Sequence, residues 1–565
     1  MRKFVSADFT CDSWESVEFY LLDLKNRDIS SKESFKKWLF DKSELEAVLE
    51  ENMAWRYIRM TINTLDEKLT ESYQFFVTEI QPNLAPFEDA LNQKMMASPF
   101  VKELAEDKAY AIYFRGVQSA LELFREENIA LETELSTLSQ QFGAISGKQM
   151  IIYKGKELTM PQAANFLKDP DETVRKEVYD LITTRRLQDR DALDDLFNQL
   201  IQLRNQVAKN ADCADYRDYK FKSLGRFDYT VEDCLAFHNA IEKLIVPIVK
   251  QLNLKKLEKL GKSKLKPWDT EVDPDGLAPL KPFESGEELL DKSIAVFQKL
   301  DAYFGDCLKT MKSGGFLDLD SKAGKAPGGY NYPLYESGIP FIFMNAAGAQ
   351  RDLTTMVHEG GHAVHSFLSR DLELTGFKSL PSEVAELASM SMELLTMEWW
   401  NEFYTHENDL RRAKLEQLES VVKVLPWIAQ IDAFQHWIYT HPTHSTAERT
   451  EEWVRLNKRF GTGLVDYDDG YEDVLESSWQ KQLHLFEVPF YYIEYGIAQL
   501  GALGVWNNFK KNPEKALTDY KNALSLGYTK SIPEIYETAG LKFDFSQAAL
   551  EDISKNLMDS INALN

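Results

Sequence analysis

Apolar residues recur at spacings of three and four through most of this chain, with charged residues filling the positions between them. In ESFKKWLFDKSELEAVLEENMAWRYIRMTINTL this pattern is clear, and it predicts helix almost throughout from Ser31 to Gln140. It breaks at QMIIYKGKELTM, where two short strand-like runs flank Lys154-Gly155, a dipeptide suited to a hairpin turn. Long amphipathic helices resume at MPQAANFLKDPDETVRKEVYDLITTRRLQDRDALDDLFNQLIQLRNQVAKNA. The segment GKSKLKPWDTEVDPDGLAPLKPF, rich in Pro, Gly and Asp, reads as a connecting surface loop. Further on, GGFLDLDSKAGKAPGGYNYPLYESGIPFIFMNAAGAQ alternates turn signals with the strand-like runs FLDLD and PFIFM. Helical patterns then continue to the C-terminus. The predicted class is mainly α, with a small sheet just before the segment TTMVHEGGHAVHSF.

A length of 565 residues exceeds one ordinary core, so two or more lobes are expected. The composition, 44% hydrophobic and 27% charged, is that of a soluble globular protein. The net charge of -25 argues against nucleic acid or an anionic membrane as partner, since both require a basic surface. It serves general solubility, or an acidic cavity that attracts cationic peptides. Cys11, Cys213, Cys234 and Cys307 are scattered, which fits a reducing compartment and offers no thiolate knuckle of short spacing. The first residues, MRKFVSADFTCDSWESVEFY, contain no apolar run of the kind a signal peptide needs. The most apolar long stretch, YYIEYGIAQLGALGVW, is too short to span a bilayer and contains Glu494. A cytoplasmic location is expected.

Of nine histidines, eight lie after residue 350, and three of those fall in HEGGHAVH. His358 and His362 are four residues apart, so on a helix both imidazoles leave one face and can coordinate a single Zn²⁺. Glu359 stands beside the first histidine, close enough to take a proton from an attacking water without being a ligand. A catalytic zinc needs a third protein ligand. PSEVAELASMSMELL offers Glu383, Glu386 and Glu393 on one helical face amid small apolar residues, which suits a buried helix better than a solvated acidic stripe. Glu386 is taken as the third ligand, although spacing alone leaves Glu383 open. Glu393, two turns on, is placed to accept a ring N–H from a ligand histidine. His365 is read as a packed or substrate-side histidine, because a fourth protein ligand would close the catalytic position.

HEGGHAVHSF followed by PSEVAELASMSMELL resembles the oligoendopeptidase F and Pz-peptidase group of the thimet oligopeptidase family, zinc peptidases with HExxH on one helix and a third glutamate on the next. Here 23 residues separate His362 from Glu386, in agreement with that family. GKAPGGYNYPL and PFIFMN also look like its sheet. The resemblance is specific from about Gly324 to Trp506 and thin over the N-terminal third. It implies one Zn²⁺, short peptide substrates, and two helical lobes around a deep substrate channel. An N-terminal lobe over residues 1–205 and a catalytic domain over 206–565 are expected.

Zinc hydrolysis creates an oxyanion that needs hydrogen-bond donors. HLFEVPFYYIEYG supplies His484, Tyr491, Tyr492 and Tyr495, with Tyr495 at helical spacing from both other tyrosines. Spacing alone leaves an aromatic core stripe as the equal alternative. The resemblance assigns donor roles to His484 and Tyr495 first, then Tyr492, then Tyr491. His436, His441 and His444 are read as structural or rim residues with no carboxylate at ligand spacing, while a second metal there stays open.

Two glycines inside a helix cost about 1 kcal/mol each relative to alanine, so Gly360 and Gly361 must make room for something. Either substrate backbone or a neighbouring element is expected there, Gly361 being assigned to the substrate side. Gly361→Leu is accordingly expected to damage turnover more than zinc content. Phe341, Ile342 and Phe343 in PFIFM are expected to present a sheet edge to which an extended peptide adds. The expected activity is hydrolysis of internal bonds in short peptides. A peptidyl-dipeptidase or carboxypeptidase is the alternative within the class. A non-catalytic peptide-binding protein is the rival outside it, opposed by the intact Glu359 and ligand set.

Overall fold

The long apolar-periodic stretches are helices because each has both a start signal and a face to bury. Ser31 opens the helix Lys32–Ile62 with a reciprocal cap: its hydroxyl accepts from the Ser34 N–H at 3.1 Å while Ser34 Oγ accepts from the Ser31 N–H. Phe35, Trp38, Leu39, Leu45, Val48 and Leu49 along that helix are all buried. The computed structural model describes residues 2–322 and 324–564 and is about 70% helical, with only small sheets. Among the described residues no helix is long and apolar enough to cross a membrane.

The hairpin predicted at Lys154-Gly155 forms between β1 (Met150–Tyr153) and β2 (Lys156–Thr159). Both turn residues have positive φ, 49° and 75°, as a two-residue turn matched to strand twist requires. FLDLD and PFIFM supply β3 (Leu317–Asp320) and β5 (Phe341–Ala346), and β4 (Tyr330–Tyr332) joins them in the order β3-β5-β4. β3 runs parallel to β5 and β4 antiparallel, with Asn331 opposite Ile342 and Tyr330 opposite Phe343. The rings of that last pair stack with centroids 4.8 Å apart.

Two compact units compose the chain. Unit 1 contains Met1–Glu122, Leu280–Lys414 and Ala498–Phe543, and unit 2 contains Leu123–Pro279, Leu415–Ile497 and Asp544–Asn565. Residues 205 and 206 fall inside the helix Arg190–Asn210 of unit 2. The three-stranded sheet, the helix Gln350–Ser369 bearing HEGGH, and the helix Ser382–Leu395 bearing the glutamates all belong to unit 1. Unit 2 holds the segment from His484 to Tyr495.

Candidate metal centre and its surroundings

The HEGGH helix starts directly after β5. Asp352 caps it, its Oδ2 accepting from the N–H groups of Ala347 and Ala349 at 2.8 and 3.0 Å. One turn further on, His358 and His362 project together, ring centroids 5.0 Å apart and planes nearly perpendicular. Glu386 faces them from the glutamate helix: its Oε2 lies 3.3 Å from His358 Nε2 and 3.7 Å from His362 Nε2. One ligand atom from each of the three falls within 4.8 Å of the others, a donor set that fits a divalent metal ion. Ser389 Oγ donates to Glu386 Oε2 at 2.9 Å and orients that carboxylate. Glu393 Oε1 sits 2.7 Å from His358 Nδ1, which leaves Nε2 as the ligand nitrogen. Of the two glutamates that spacing left open, Glu386 is the one in this group. Glu383 lies in the first turn of its helix, where its backbone carbonyl accepts from the Tyr536 hydroxyl at 3.0 Å.

Replacing Glu393 by Gln weakens the acceptor that holds His358. Metal affinity is expected to fall about 10–100-fold, read by chelator competition, with little change in thermal stability.

Burial dominates the electrostatics of these side chains. It raises the Glu359 carboxyl to about 7, with His358 opposing and Glu386 adding to the effect. Burial lowers His362 to about 4. It also works against ionised Glu386, but the two imidazoles and the Ser389 hydroxyl outweigh it and bring that carboxyl to about 2. His358 is raised despite its burial, because Glu386 and Glu393 flank both ring nitrogens. His362 is held neutral and Glu386 ionised, as metal ligands must be, whereas His358 has to give up a proton to coordinate.

The glycines answer to packing. A Cβ on Gly361 would lie 2.7 Å from Ser389 Cα and 2.8 Å from the Ala388 carbonyl oxygen, so it is the backbone of the glutamate helix that approaches here. On Gly360 it would meet the Phe297 ring at 2.6 Å. Of the two expected occupants, the neighbouring element is present at both positions, and the substrate-side assignment of Gly361 is corrected accordingly. The expectation for Phe341, Ile342 and Phe343 also changes. All three are buried, and β5 is the central strand, its pairing positions taken by β3 on one side and β4 on the other. β4 and β3 are the edges. Asn331 on β4 donates from Nδ2 to the Glu359 carbonyl at 3.2 Å and ties the sheet to the HEGGH helix. Neither Asn331 nor Ser389 carries a sequence signal that would have singled it out.

In unit 2, His484 lies on the short helix Leu483–Glu487, and Tyr492 and Tyr495 on the helix Tyr492–Lys511, with Tyr491 just before it. The His484 ring is 4.8 Å from that of Tyr492, 5.8 Å from Tyr495 and 6.1 Å from Tyr491, centroid to centroid. Gln482 Nε2 lies 2.7 Å from His484 Nδ1 and is itself held by Trp427. Phe490 joins the two helices with φ of 66°, a conformation that costs a bulky residue about 1–3 kcal/mol. Its N–H donates to Gln435 Oε1 at 2.6 Å and its carbonyl accepts from Arg226, so buried partners hold the bend that brings His484 against the tyrosines.

His365 is packed, 1% exposed, and burial lowers it to about 3. His441 and His444 stand against Trp437. His436 differs from its expected reading. Asp432, four residues before it on the helix Glu407–Thr440, is a carboxylate at ligand spacing, and both are buried.

Fold and site together define a class: a mainly helical peptidase scaffold with a metal-binding HExxH helix and a glutamate from the next helix. The chain belongs to peptidase family M3, whose model matches residues 165–555, while the Peptidase M3 N-terminal domain matches residues 7–124. It is similar to oligopeptidase PepF of Bacillus subtilis, at 24% identity over 68% of this chain and 56% of that protein. An oligoendopeptidase F homolog of Mycoplasma genitalium is 21% identical over 91% of this chain and 88% of its own length. Among solved structures, PZ peptidase A with an inhibitor superposes with a TM-score of 0.91 at 25% identity, over 99% of both chains. The aligned stretch thus spans little more than half of PepF.

Proposed function

We propose that this chain is a zinc-dependent endopeptidase that hydrolyses internal bonds of short peptides in the cytoplasm. The observation that carries this reading is the convergence of His358, His362 and Glu386, with Glu359 beside them at about 7. Family membership and the likeness to PZ peptidase A support it. Two imidazoles and one carboxylate suit zinc among the divalent metals, and three protein ligands leave a position for substrate or water. A single zinc ion held there by His358, His362 and Glu386 would supply Lewis acidity toward water and the scissile carbonyl.

Glu359 takes the proton of the attacking water and returns it to the leaving amine. The peptide adds as a strand along β4, whose other side has no strand partner among the described residues. Tyr495 and His484 donate to the developing oxyanion, with Tyr492 as the supporting tyrosine. Tyr495→Phe is then expected to lower kcat about 10²–10³-fold while metal content and KM change little. An unchanged kcat would return Tyr495 to an aromatic packing role.

A short, internally quenched peptide with both ends blocked tests the activity. Internal cleavage located by mass spectrometry supports the endopeptidase reading. Cleavage only of peptides with a free C-terminus assigns the chain to the peptidyl-dipeptidase or carboxypeptidase alternative. Metal-loaded protein that binds peptides and cuts none is a peptide-binding protein.

A further inference from the structure

Ligand-type side chains converge a second time, inside unit 2. Cys234 and His238 lie one turn apart on the helix Val231–Ala240, in CLAFH. Asp432 and His436 lie one turn apart on the helix Glu407–Thr440, in DAFQH. Each helix therefore presents an i, i+4 pair, the spacing that put His358 and His362 on one face. All four are buried, at 1%, 0%, 0% and 5% exposure in the order given. One ligand atom from each of Cys234, Asp432 and His436 lies within 4.8 Å of the other two. His238 Nε2 is 2.8 Å from Asp432 Oδ2.

The hydrogen bonding in this cluster is incomplete. Asp432 Oδ1 has no partner, and neither does His436 Nε2, although it lies only 3.2 Å from Asp432 Oδ2. Buried polar atoms are nearly always satisfied, and a fully buried carboxylate needs a compensating cation. His238 Nδ1 is a third unpartnered atom, and a cation bound among Asp432, His436 and Cys234 would lie beside the other two. The same relation, imidazole nitrogens close to one carboxylate oxygen, recurs at the family's metal centre, where the distances are 3.3 and 3.7 Å.

We propose that Cys234, Asp432 and His436 bind a second divalent ion of the zinc class, with His238 orienting Asp432 by a hydrogen bond. The thiolate selects a borderline-soft metal such as zinc over magnesium or calcium. Complete burial makes this a site that joins two helices and is shut off from substrate, in contrast to the HEGGH histidines, whose side chains are 20% and 19% exposed. An ion on His436 Nε2 leaves that ring's proton on Nδ1, so the Arg217 Nη1 donor, now 3.4 Å away, has to turn aside when the ion binds.

The test uses the full-length protein and metal alone. Zinc per chain, measured on wild type, is expected to be two. A His358→Ala/His362→Ala variant is expected to keep one, and the addition of Cys234→Ala to remove it. Cobalt reconstitution adds a spectroscopic signature. A near-ultraviolet thiolate-to-cobalt band is expected in wild type and in the double histidine variant, because the His358/His362/Glu386 site has no sulfur ligand. If Cys234→Ala does not fold, the band in the double histidine variant decides. One zinc per chain with no thiolate band overturns the proposal, and the cluster is then a relay in which Arg217 donates to His436 and His436 to Asp432.

Discussion

Glu359→Gln is expected to retain its metal and lose at least ~10²-fold in kcat, the range for removal of a positioned general base. The substitution keeps the size of a side chain that is 7% exposed and leaves its backbone contact with Asn331 in place. His358, His362 and Glu386 are untouched, so metal content and folding should match wild type. The pH profile carries a second signature. Burial holds the Glu359 carboxyl at about 7 without metal, and a neighbouring cation favours the ionised form and brings it below that value. A base works deprotonated, so with Glu359 in that role kcat/KM is expected to rise with pH along an acid limb below about 7, and this limb should disappear in the variant. A Gln variant with wild-type turnover would remove Glu359 from the chemistry.

Gly361→Leu is expected to lose metal and turnover together. Its first side-chain atom would fall 2.7 Å from Ser389 Cα and 2.8 Å from the Ala388 carbonyl, and backbone cannot rotate out of the way. The two helices must part. The displaced segment carries Ser389, which orients Glu386, and lies one turn from Glu386 itself. Overpacking of this kind costs about 1–3 kcal/mol, seen as a lowered Tm, and the ligand set opens as the helices separate. Gly360→Ala should be milder, since it meets the Phe297 side chain, which can tilt. Metal analysis and thermal unfolding of both variants decide the matter. Full metal content with reduced turnover in Gly361→Leu would reinstate crowding of the substrate.

Much of this was legible in the chain because it is local. Period-3.6 patterning marked the helices, Lys154-Gly155 the hairpin, and FLDLD and PFIFM the strands β3 and β5. HEGGH marked its own helix and the pair of imidazoles. The role of Gly361 was misplaced because a glycine reports that something is close and not what it is. PFIFM reads as an edge in the sequence because a strand's composition does not record its neighbours: β4, which covers it, is the three-residue Tyr330–Tyr332 with no alternation to detect. Asp432 carries no signal of its own beside His436, because its significance depends on Cys234 and His238, some two hundred residues earlier.

The division follows from the range of the forces. Spacing of four along a helix places His358 beside His362, and Asp432 beside His436, through backbone geometry that a few residues determine alone. The choice of Glu386 over Glu383, the burial that raises Glu359, and the meeting of the Val231–Ala240 and Glu407–Thr440 helices arise only when distant segments pack. Such packing is driven by burial of apolar surface, which is non-directional and leaves no periodic trace of which helix meets which.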